Sequence, residues 1–443
     1  MKIQLSDHFT YKKLLRFTLP SIAMMLFTSI YGVVDGFFVS NFAGKTAFAA
    51  VNLIMPFLMI VGAVGFMFGT GGCALVARTL GEGQSDKANR QFSLLVYTTI
   101  AIGIVFAALG IIFIRPVALI LGADEEMADI CVNYGRIVLL ALPAFMLQYA
   151  FQAFFPLAQK PGLGLWVTVF AGVANMVLDA LFVAVFNWGY VGAAAATAIS
   201  QAIGGFVPIL YFARKNTSLL RLGATSIDFK SLLQAASNGC SELLSSISFS
   251  LVSILYNLQL MAHAGEEGVA AYGVLMYVSM VFQAIFIGYS MGTSPVVGYN
   301  FGANNKEELK SVFKKSLIII GISSAIMFLL SELLAYPLTV LFVGYDTKLL
   351  EITLEAFIIF SFSFLFFGFG IYSSSFFTAL SNGPVSAVIS FLRTVVFQVA
   401  AVIVMPLLLG LTGIWYSIVV TEVLALIVAF IFVIALRKRY GYL

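Results

Sequence analysis

The chain has 443 residues, of which 61% are hydrophobic and 10% are charged, with a formal net charge of +4 at pH 7. Soluble domains carry about 25% charged residues, so this composition excludes a soluble globular protein and indicates a polytopic helical membrane protein. The basic residues lie in loops between apolar segments and do not indicate nucleic-acid binding. Cys73, Cys131 and Cys240 form no CxxC or His/Cys cluster, which argues against a disulfide framework or a metal site.

Twelve apolar segments are long enough to cross a bilayer, which takes roughly 20 residues per helix. No early segment has the short apolar core and cleavage site of a signal peptide, so we expect the first span to be retained. The predicted spans lie near 14–39, 52–77, 91–113, 133–156, 163–185, 191–212, 238–262, 270–297, 313–333, 353–378, 386–408 and 412–436.

The distribution of basic residues predicts the orientation of these spans. Most Lys and Arg residues lie in loops on the side where the chain begins, and only Lys45, Arg115 and Lys348 lie in loops on the other side. The loops of that other side are acidic, as in "ADEEMAD" at 123–129. Because positively charged loops stay in the cytoplasm, we predict that both termini are cytoplasmic and that the membrane is the cell (inner or plasma) membrane.

The two halves of the chain repeat each other. A constant shift of 221 residues takes Pro116 to Pro337, Gly81 to Gly302 and Gly189 to Gly410. Each half has six spans, so the halves enter the membrane from the same side and are parallel repeats about an axis along the membrane normal. The predicted fold is an all-α membrane protein with twelve transmembrane helices in two six-helix lobes. We assign residues 1–212 to the first lobe, 213–236 to a cytoplasmic linker and 237–443 to the second lobe.

The first span contains one charged residue, Asp35, between Arg16 and Lys45. An ionised carboxylate in hydrocarbon costs roughly 3 kcal/mol on insertion scales, so Asp35 must face a partner, a bound cation or a wet cavity. The fifth span adds Asn175 and Asp179, which are spaced i and i+4 and therefore share one helix face. The repeat places Tyr256 and Ala400 at the positions of the two acids, so the second lobe lacks them.

Four helices of the first lobe carry oxygen-bearing side chains at comparable depth below the outer surface. Two carboxylates with amide and hydroxyl oxygens suit a hard cation such as Na⁺. They equally suit a proton, since two acids in one dry pocket repel each other and one can retain a proton near neutral pH. The alternative is a set of unrelated interhelical hydrogen bonds. The predicted cation site consists of Asp35, Asn175, Asp179 and Thr197, and we expect Tyr31 and Tyr134 to lie next to these four residues.

Several segments resemble the multidrug and toxic compound extrusion (MATE) family. They are "YGVVDGFFVSNFAGKTAFAAVN" at 31–52, "NMVLDALFV" at 175–183, "GYVGAAAATAIS" at 189–200 and "SPVVGYNFGANN" at 294–305. The resemblance covers about residues 14–436. It implies a V-shaped twelve-helix exporter that exchanges cytosolic organic compounds for inward Na⁺ or H⁺, without an organic cofactor. In prokaryotic branches with a cation site in the first lobe, the matching positions are Asp35, Asn175, Asp179 and Thr197.

The second lobe departs from other branches of that family. No charged residue occurs from Ala356 to Leu392, so a cation site in the tenth span is not expected. Glu242 in the seventh span matches a glutamate of some bacterial members and is either a residue of the substrate or proton path or a solvated helix-end charge. Glu422 in the last span needs a partner, for which Arg393 is one candidate. Gln148, Gln152 and Gln283 are further candidates for a cavity lining, or else hydrogen bonds between helices.

Three classes of function compete for this sequence. The first is a cation-coupled antiporter, acting as a monomer, for organic drugs or metabolites of cationic or amphipathic character. The second is a flippase for lipid-linked precursors, which would favour a strongly cationic cavity, whereas only Arg136 and Arg393 lie within spans. The third is an intramembrane enzyme, and no Ser/His, HExxH or paired catalytic constellation in the sequence supports it. The sequence has no Walker loop either, so we do not expect ATP to be the direct energy source. The sequence therefore favours the antiporter.

Overall fold

The structure is a computed structural model that describes residues 3–443, without the side chains of Ser40 and Lys45. The helices are α1 (Tyr11–Phe42), α2 (Lys45–Gly81), α3 (Ser85–Ile120), α4 (Glu125–Leu140), α5 (Leu142–Leu157), α6 (Pro161–Asp179), α7 (Gly189–Ala213), α8 (Phe229–Gly302), α9 (Lys306–Val343), α10 (Thr347–Ser361), α11 (Phe364–Ala379), α12 (Gly383–Phe391) and α13 (Gln398–Tyr440). Two π-helical segments, Ala180–Val185 and Leu392–Phe397, extend α6 and α12. Within residues 3–443 there is no strand.

These helices form twelve membrane spans. Eight helical units are long and apolar enough to cross a membrane, and the bent pairs α4–α5 and α10–α11 bring the number to ten. Two of the ten contain a break with non-helical backbone, at Gly265 in α8 and at Gly410 in α13, and each break separates two spans. The predicted all-α, twelve-span fold in two lobes is therefore confirmed.

The fourth and tenth spans are bent, by 56° and 50°, a feature that the sequence analysis did not predict. The fourth span bends at Ala141, just before Pro143, which has no amide hydrogen to donate to the preceding turn. The tenth span bends at Phe362 and Ser363 without a proline. The two bends occur in equivalent spans of the two lobes, so they belong to the repeated fold.

The 221-residue repeat is also visible in the backbone conformation. Gly44 and Gly265 have φ of 91° and 63°, and Gly189 and Gly410 have φ of 56° and 60°. Each pair is separated by 221 residues, and each glycine precedes the first turn of a span. Positive φ is accessible to glycine because it has no Cβ. The repeat therefore conserves the chain reversals between spans as well as the spans themselves.

The two lobes are in close contact on one side of the bundle. We call the side where α1 begins the near face and the side where α2 begins the far face. At the near face, a Cβ on Gly81 would collide with the Tyr299 carbonyl oxygen, and a Cβ on Gly302 would collide with that of Arg78. These two contacts are related by the 221-residue shift. The pseudo-two-fold axis therefore passes between α2 and the second half of α8, where the lobes touch through their backbones.

The segment that leads into α1 lies against the second lobe. The Glu308 carboxylate accepts hydrogen bonds from the Phe9 amide, at 2.9 Å, and contacts His8 Nδ1 at 2.6 Å. Lys315 Nζ donates to the Phe9 carbonyl oxygen at 2.5 Å, and the side chains of Leu5 and Phe9 are fully buried. This first lead segment, residues 4–10, therefore connects the first lobe to the start of α9.

A second lead segment, residues 221–228, connects the second lobe back to the first lobe. It precedes α8 and lies against α3, where the Gly223 amide donates to Ser93 Oγ at 3.0 Å and the Arg221 amide donates to Asn89 Oδ1 at 2.8 Å. Its partners are neutral amides and hydroxyls rather than a carboxylate. Because α8 begins at Phe229, the last part of the predicted linker 213–236 is helical.

Two aspartates occupy equivalent positions in the lead segments. The hydrogen bond from Lys13 holds the pKa of Asp7 below its usual range, and the hydrogen bond from the Ser231 hydroxyl does the same for the pKa of Asp228. Asp228 also caps the first turn of α8. Both carboxylates are therefore ionised at neutral pH and fix the chain direction at the start of a span.

Candidate cation site and cavities

The first span presents Tyr31 and Asp35 on a face that packs against α6. The approach is close at Gly172, where a Cβ would collide with the rings of Phe27 and Tyr31. The small residue on α6 lets α1 lie near enough for side chains one turn further along to meet those of the fifth span. Asp35 thus points into the lobe interior rather than toward lipid.

The fifth span changes its helical form at its acidic residue. The α-helical part ends at Asp179, and the next six residues form the π-helical segment. Asp179 is fully buried, and Asn175, one turn earlier on the same face, is 2% exposed. A π-helical turn rotates the residues that follow relative to those before it, and such turns occur frequently at functional sites.

The structure brings the two acids together. The carboxyl groups of Asp35 and Asp179 are near enough to interact electrostatically, although no regular hydrogen bond joins them. Thr197 Oγ1 on α7 donates to Asp35 Oδ1 at a long distance of 3.5 Å. Neither carboxylate oxygen of Asp179 has a donor among the described residues. The pair therefore lacks the donors that would satisfy two buried anions.

Tyr134 on α4 contributes a further polar atom to this site. Its side chain is fully buried, it lies close to Asp35 and Asp179, and its hydroxyl approaches Thr197. No described residue makes a regular hydrogen bond with this hydroxyl. The site thus combines an unsatisfied hydroxyl and an unsatisfied carboxylate, and no Lys or Arg of the described chain forms an ion pair with either acid.

Two adjacent buried carboxylates without a cationic partner are unstable as two full charges. A shared proton or a small cation removes this repulsion. Among residues 3–443 no group of three or more His, Cys, Asp and Glu residues converges. A Na⁺ ion here would therefore have two carboxylates and neutral oxygens, which fits a hard monovalent cation better than a transition metal.

The candidate glutamines separate into two regions. Gln148 Nε2 lies 3.5 Å from the Tyr31 hydroxyl, within the first lobe. Gln152 is 2% exposed and neither its amide oxygen nor its nitrogen has a partner among the described residues. Gln283 lies in the second lobe, where its amide donates to Ser279 Oγ at 2.6 Å. Gln148 thus lies beside Tyr31 in the first lobe, and Gln283 lies in the second lobe.

A central cavity of about 890 Å³ lies between the lobes. It is formed by the far halves of the central spans, whereas the near halves are in contact. None of the described residues that line it is charged. Aromatic and methionine side chains dominate the wall: Met25, Phe48, Met59, Phe66, Tyr149, Phe249, Tyr272, Met276, Tyr277 and Met280.

A smaller cavity of about 200 Å³ extends from the central cavity into the second lobe. We call it the second-lobe cavity. Glu242, Arg393 and Glu422 line it, together with Gln283. Arg393 Nε donates to both carboxylate oxygens of Glu422, at 2.9 and 3.0 Å, which confirms Arg393 as the partner of Glu422. The sequence analysis did not place Glu242 beside this pair, because nothing in its spacing relates the seventh span to the eleventh.

Twelve spans in two six-helix lobes around a central cavity define the architecture of a membrane transporter. The MatE family model matches the chain twice, at residues 20–181 and 243–404, so that each lobe holds one copy. The chain belongs to this family, as the resemblance of its motifs implied, and it is a multi-pass membrane transporter rather than an enzyme.

Relatives and solved structures agree with this assignment. The chain is 26% identical over 436 residues to the multidrug export protein MepA of Staphylococcus haemolyticus, covering 97% of this chain and 94% of MepA. It is also 26% identical over 438 residues to MepA of Staphylococcus aureus strain MRSA252, with the same coverage.

The fold superposes on a structure described as the outward-facing conformation of a multidrug resistance MATE family transporter, with a TM-score of 0.91 at 23% identity, over 97% of this chain and 98% of that one. A MATE crystal structure in the bent conformation gives 0.89 at 23% identity, over 99% and 98%.

Proposed function

We propose that this chain exports small organic compounds from the cytoplasm in exchange for Na⁺ or H⁺, by alternating access, as a monomer. The cation site consists of Asp35, Asn175, Asp179 and Thr197, and Tyr31 and Tyr134 hold it in position. The observation that carries the proposal is the buried proximity of two acids, one of which has no hydrogen-bond donor among the described residues. Such a pair gains stability from each proton or cation that it takes up.

The orientation of the exchange is part of this proposal. The near face is cytoplasmic, because the basic loops lie there. The closed near face and the central cavity between the far halves then correspond to a state that is open to the outside. In this state the acids take up the incoming cation, and the exported compound leaves from the central cavity.

The lining of the central cavity supports amphipathic substrates. Aromatic faces attract organic cations, and the flexible methionines adapt to compounds of different shape. The curated relatives are described as multidrug export proteins. We infer that multidrug efflux extends to this chain, with aromatic cations as the substrates that its cavity favours most. A flippase for lipid-linked phosphates is disfavoured, because no described residue of the central cavity is cationic.

The cation site is tested with Asp35→Asn, Asp179→Asn and the double variant in proteoliposomes. We expect each single variant to lose export of ethidium driven by an imposed Na⁺ or pH gradient, because an amide cannot hold the exchanged charge. The double variant should be no worse than either single variant, since the acids act as a unit. The matched control is Asp346→Asn, at the start of α10, where asparagine also caps a helix.

Gradient-driven export that persists in either single variant would contradict the proposed site. The imposed gradients also separate the two coupling ions. Export that depends on Na⁺ at constant pH identifies Na⁺ as the coupling ion, and export that depends only on the pH gradient identifies H⁺. Wild-type protein that responds to neither gradient would overturn cation coupling itself.

A further inference from the structure

The near end of the second lobe carries six exposed basic side chains. Three follow the start of α9 at intervals of four residues, and three are consecutive near the end of α13. Among the described residues none of the six forms an ion pair with an acidic side chain. We call them the second-lobe basic surface: Lys306, Lys310, Lys314, Arg437, Lys438 and Arg439.

The two helix ends that form this surface lie side by side. Gly441 has a left-handed backbone, with φ of 71°, and the Tyr442 hydroxyl after it donates to the Val433 carbonyl oxygen at 2.9 Å. A Cβ on Gly441 would lie 3.0 Å from Lys306 Cδ. The Tyr442 ring is fully buried, and its centre lies 5.0 Å from that of Phe313 on α9. The basic residues of α13 are therefore held next to those of α9.

The three lysines of α9 do not stabilise their own helix. Like charges four residues apart share one helix face and repel each other. Lys306 is the first residue of α9, where the partial positive charge of the helix end also disfavours a cation. Of the acids in the first turn, Glu308 is buried and bonded to Phe9, and Glu307 forms no ion pair with a described residue. The charges of the lysines therefore remain available to a partner.

The equivalent surface of the first lobe is neutral and partly covered. On α3, Asn89 Oδ1 and Ser93 Oγ accept the amides of Arg221 and Gly223, so the second lead segment lies over this face. On α9 the corresponding side chains are exposed. The cluster of charge is thus a feature of the second lobe and not of the repeated fold. The 221-residue shift takes the six basic residues to Ser85, Asn89, Ser93, Asn216, Thr217 and Ser218.

Both helices continue the basic surface as rows of exposed apolar side chains. On α9 the interval of four residues leads from Lys314 to Ile318 and Ile322, which are 49% and 57% exposed. On α13 the same interval leads from the exposed Ile434 to Lys438. Exposed apolar rows on a membrane span face lipid chains. The basic surface therefore lies where the lipid chains end and the headgroups begin.

We propose that the second-lobe basic surface binds the headgroups of anionic phospholipids at the near face. Anionic headgroups attract Lys and Arg close to the membrane surface, and clusters of about four to eight such residues beside a span are typical of this binding. The apolar rows that lead directly into the surface favour a lipid over a soluble phosphate compound. This inference goes beyond the proposed export function and does not depend on it.

The test titrates lipids into the purified full-length protein in detergent and counts bound lipids by native mass spectrometry. The probes are phosphatidylglycerol and phosphatidylcholine with the same acyl chains. We expect the wild type to prefer phosphatidylglycerol by about tenfold or more at low salt, and to lose this preference as ionic strength rises. Equal binding of the two lipids would overturn the proposal. Displacement of phosphatidylglycerol by an equal concentration of glycerol phosphate would identify a soluble phosphate as the ligand and overturn the lipid assignment.

An exchange of residues between the lobes assigns the binding to this surface. The triple variant Lys306→Ser, Lys310→Asn and Lys314→Ser introduces the residues found at the equivalent positions of α3. It should weaken phosphatidylglycerol binding about tenfold or more and leave phosphatidylcholine binding unchanged. Arginine at the same three positions keeps the charge and should keep the preference. Exchanging the three basic residues of α13 for Asn, Thr and Ser is an independent second variant, with the same direction expected.

The matched control removes three exposed basic residues from the near face of the first lobe: Lys87→Gln, Arg214→Gln and Lys215→Gln. It lowers the net charge of the protein by the same amount as the exchange on α9. We expect its phosphatidylglycerol binding to stay within about threefold of the wild type. Equal losses in the control and in the α9 exchange would overturn the assignment to the second lobe. The Tm in detergent verifies that each variant is folded.

Discussion

The two lobes share one backbone plan but use the equivalent position of their first spans differently. In the first lobe Asp35 meets Thr197 and the unsatisfied Asp179. In the second lobe the equivalent residue is Tyr256, whose hydroxyl lies 2.7 Å from Ser417 Oγ and whose ring stacks on Tyr272. In the proposed function the first arrangement takes up a proton or cation, whereas the hydroxyl of the second already has a partner.

This difference shows how a duplicated fold can acquire two roles. Tyr256 is fully buried and hydrogen-bonded, so its position contributes packing and no charge. The charged residues of the second lobe lie instead around the cavity formed by Glu242, Arg393 and Glu422. We therefore expect the first lobe to respond to the cation and the second lobe to the exported compound.

We expect the largest effect on export when Asp35→Asn is compared with Tyr256→Phe, which changes the equivalent position of the second lobe. We expect Asp35→Asn to reduce gradient-driven ethidium export by about 100-fold or more, because it removes an interaction on which the whole exchange depends. Tyr256→Phe removes one hydroxyl and should stay within about threefold of the wild type. Initial rates in proteoliposomes measure both. Similar losses in the two variants would break the functional distinction between the lobes.

The next effect concerns stability. Arg393→Met leaves Glu422 as a buried carboxylate without its partner, which costs about 3 kcal/mol or more for a buried pair. We expect a clearly lower Tm in detergent. The double variant Arg393→Met with Glu422→Leu should recover most of the loss, because it removes both charges. A single variant as stable as the wild type would show that the pair contributes nothing to folding.

Neutralising an acid of the first-lobe pair should change the Tm in the opposite direction. Asp179→Asn removes a buried carboxylate that has no donor, so we expect an unchanged or higher Tm at neutral pH. Asn175→Ala on the same helix face is the comparison, since it removes a polar group without removing charge. A marked fall in Tm for Asp179→Asn alone would mean that the carboxylate has a structural partner and would weaken the case for a cation site.

The smallest expected effect concerns the lead segments. Glu308→Ala removes two contacts of the first lead segment and should accelerate amide exchange of residues 5–9 about tenfold, equivalent to roughly 1.4 kcal/mol of local stability. Asn89→Ala removes one neutral hydrogen bond of the second lead segment and should have a smaller effect. Hydrogen-exchange mass spectrometry measures both. Equal changes in the two segments would contradict the greater strength assigned to the carboxylate contact.

Much of the fold could be predicted because a membrane span leaves a strong pattern. Because a charge in hydrocarbon is costly, each membrane span is a long apolar run that is easily recognised in the sequence. The 221-residue repeat is recognised from matching small residues such as Gly81 and Gly302. The reason why both positions are glycine appears only in the structure, where each glycine lets its helix contact the backbone of the other lobe. The lobes meet there because their backbones, rather than large side chains, form the contact.

Part of the candidate site could also be predicted from the sequence, because a charged residue stands out within an apolar span. Asp35 and Asp179 could be related because topology gives their depth, but depth does not give the direction of a side chain. The π-helical turn after Asp179 and the two bends in the fourth and tenth spans have no simple sequence signal. The convergence of Glu242 with Arg393 depends on such local geometry and could not be inferred from spacing.

The first lead segment has a consequence for how the protein is made. Phe9 is bonded to Glu308 and Lys315, which are synthesised about 300 residues later. While the first eight spans enter the membrane, Phe9 has neither of these two partners. Ribosome-attached chains that stop before α9 should therefore leave the segment around Phe9 open to protease, and longer chains should protect it. The contact of the first lead segment with α9 can therefore form only after the ninth span has been inserted.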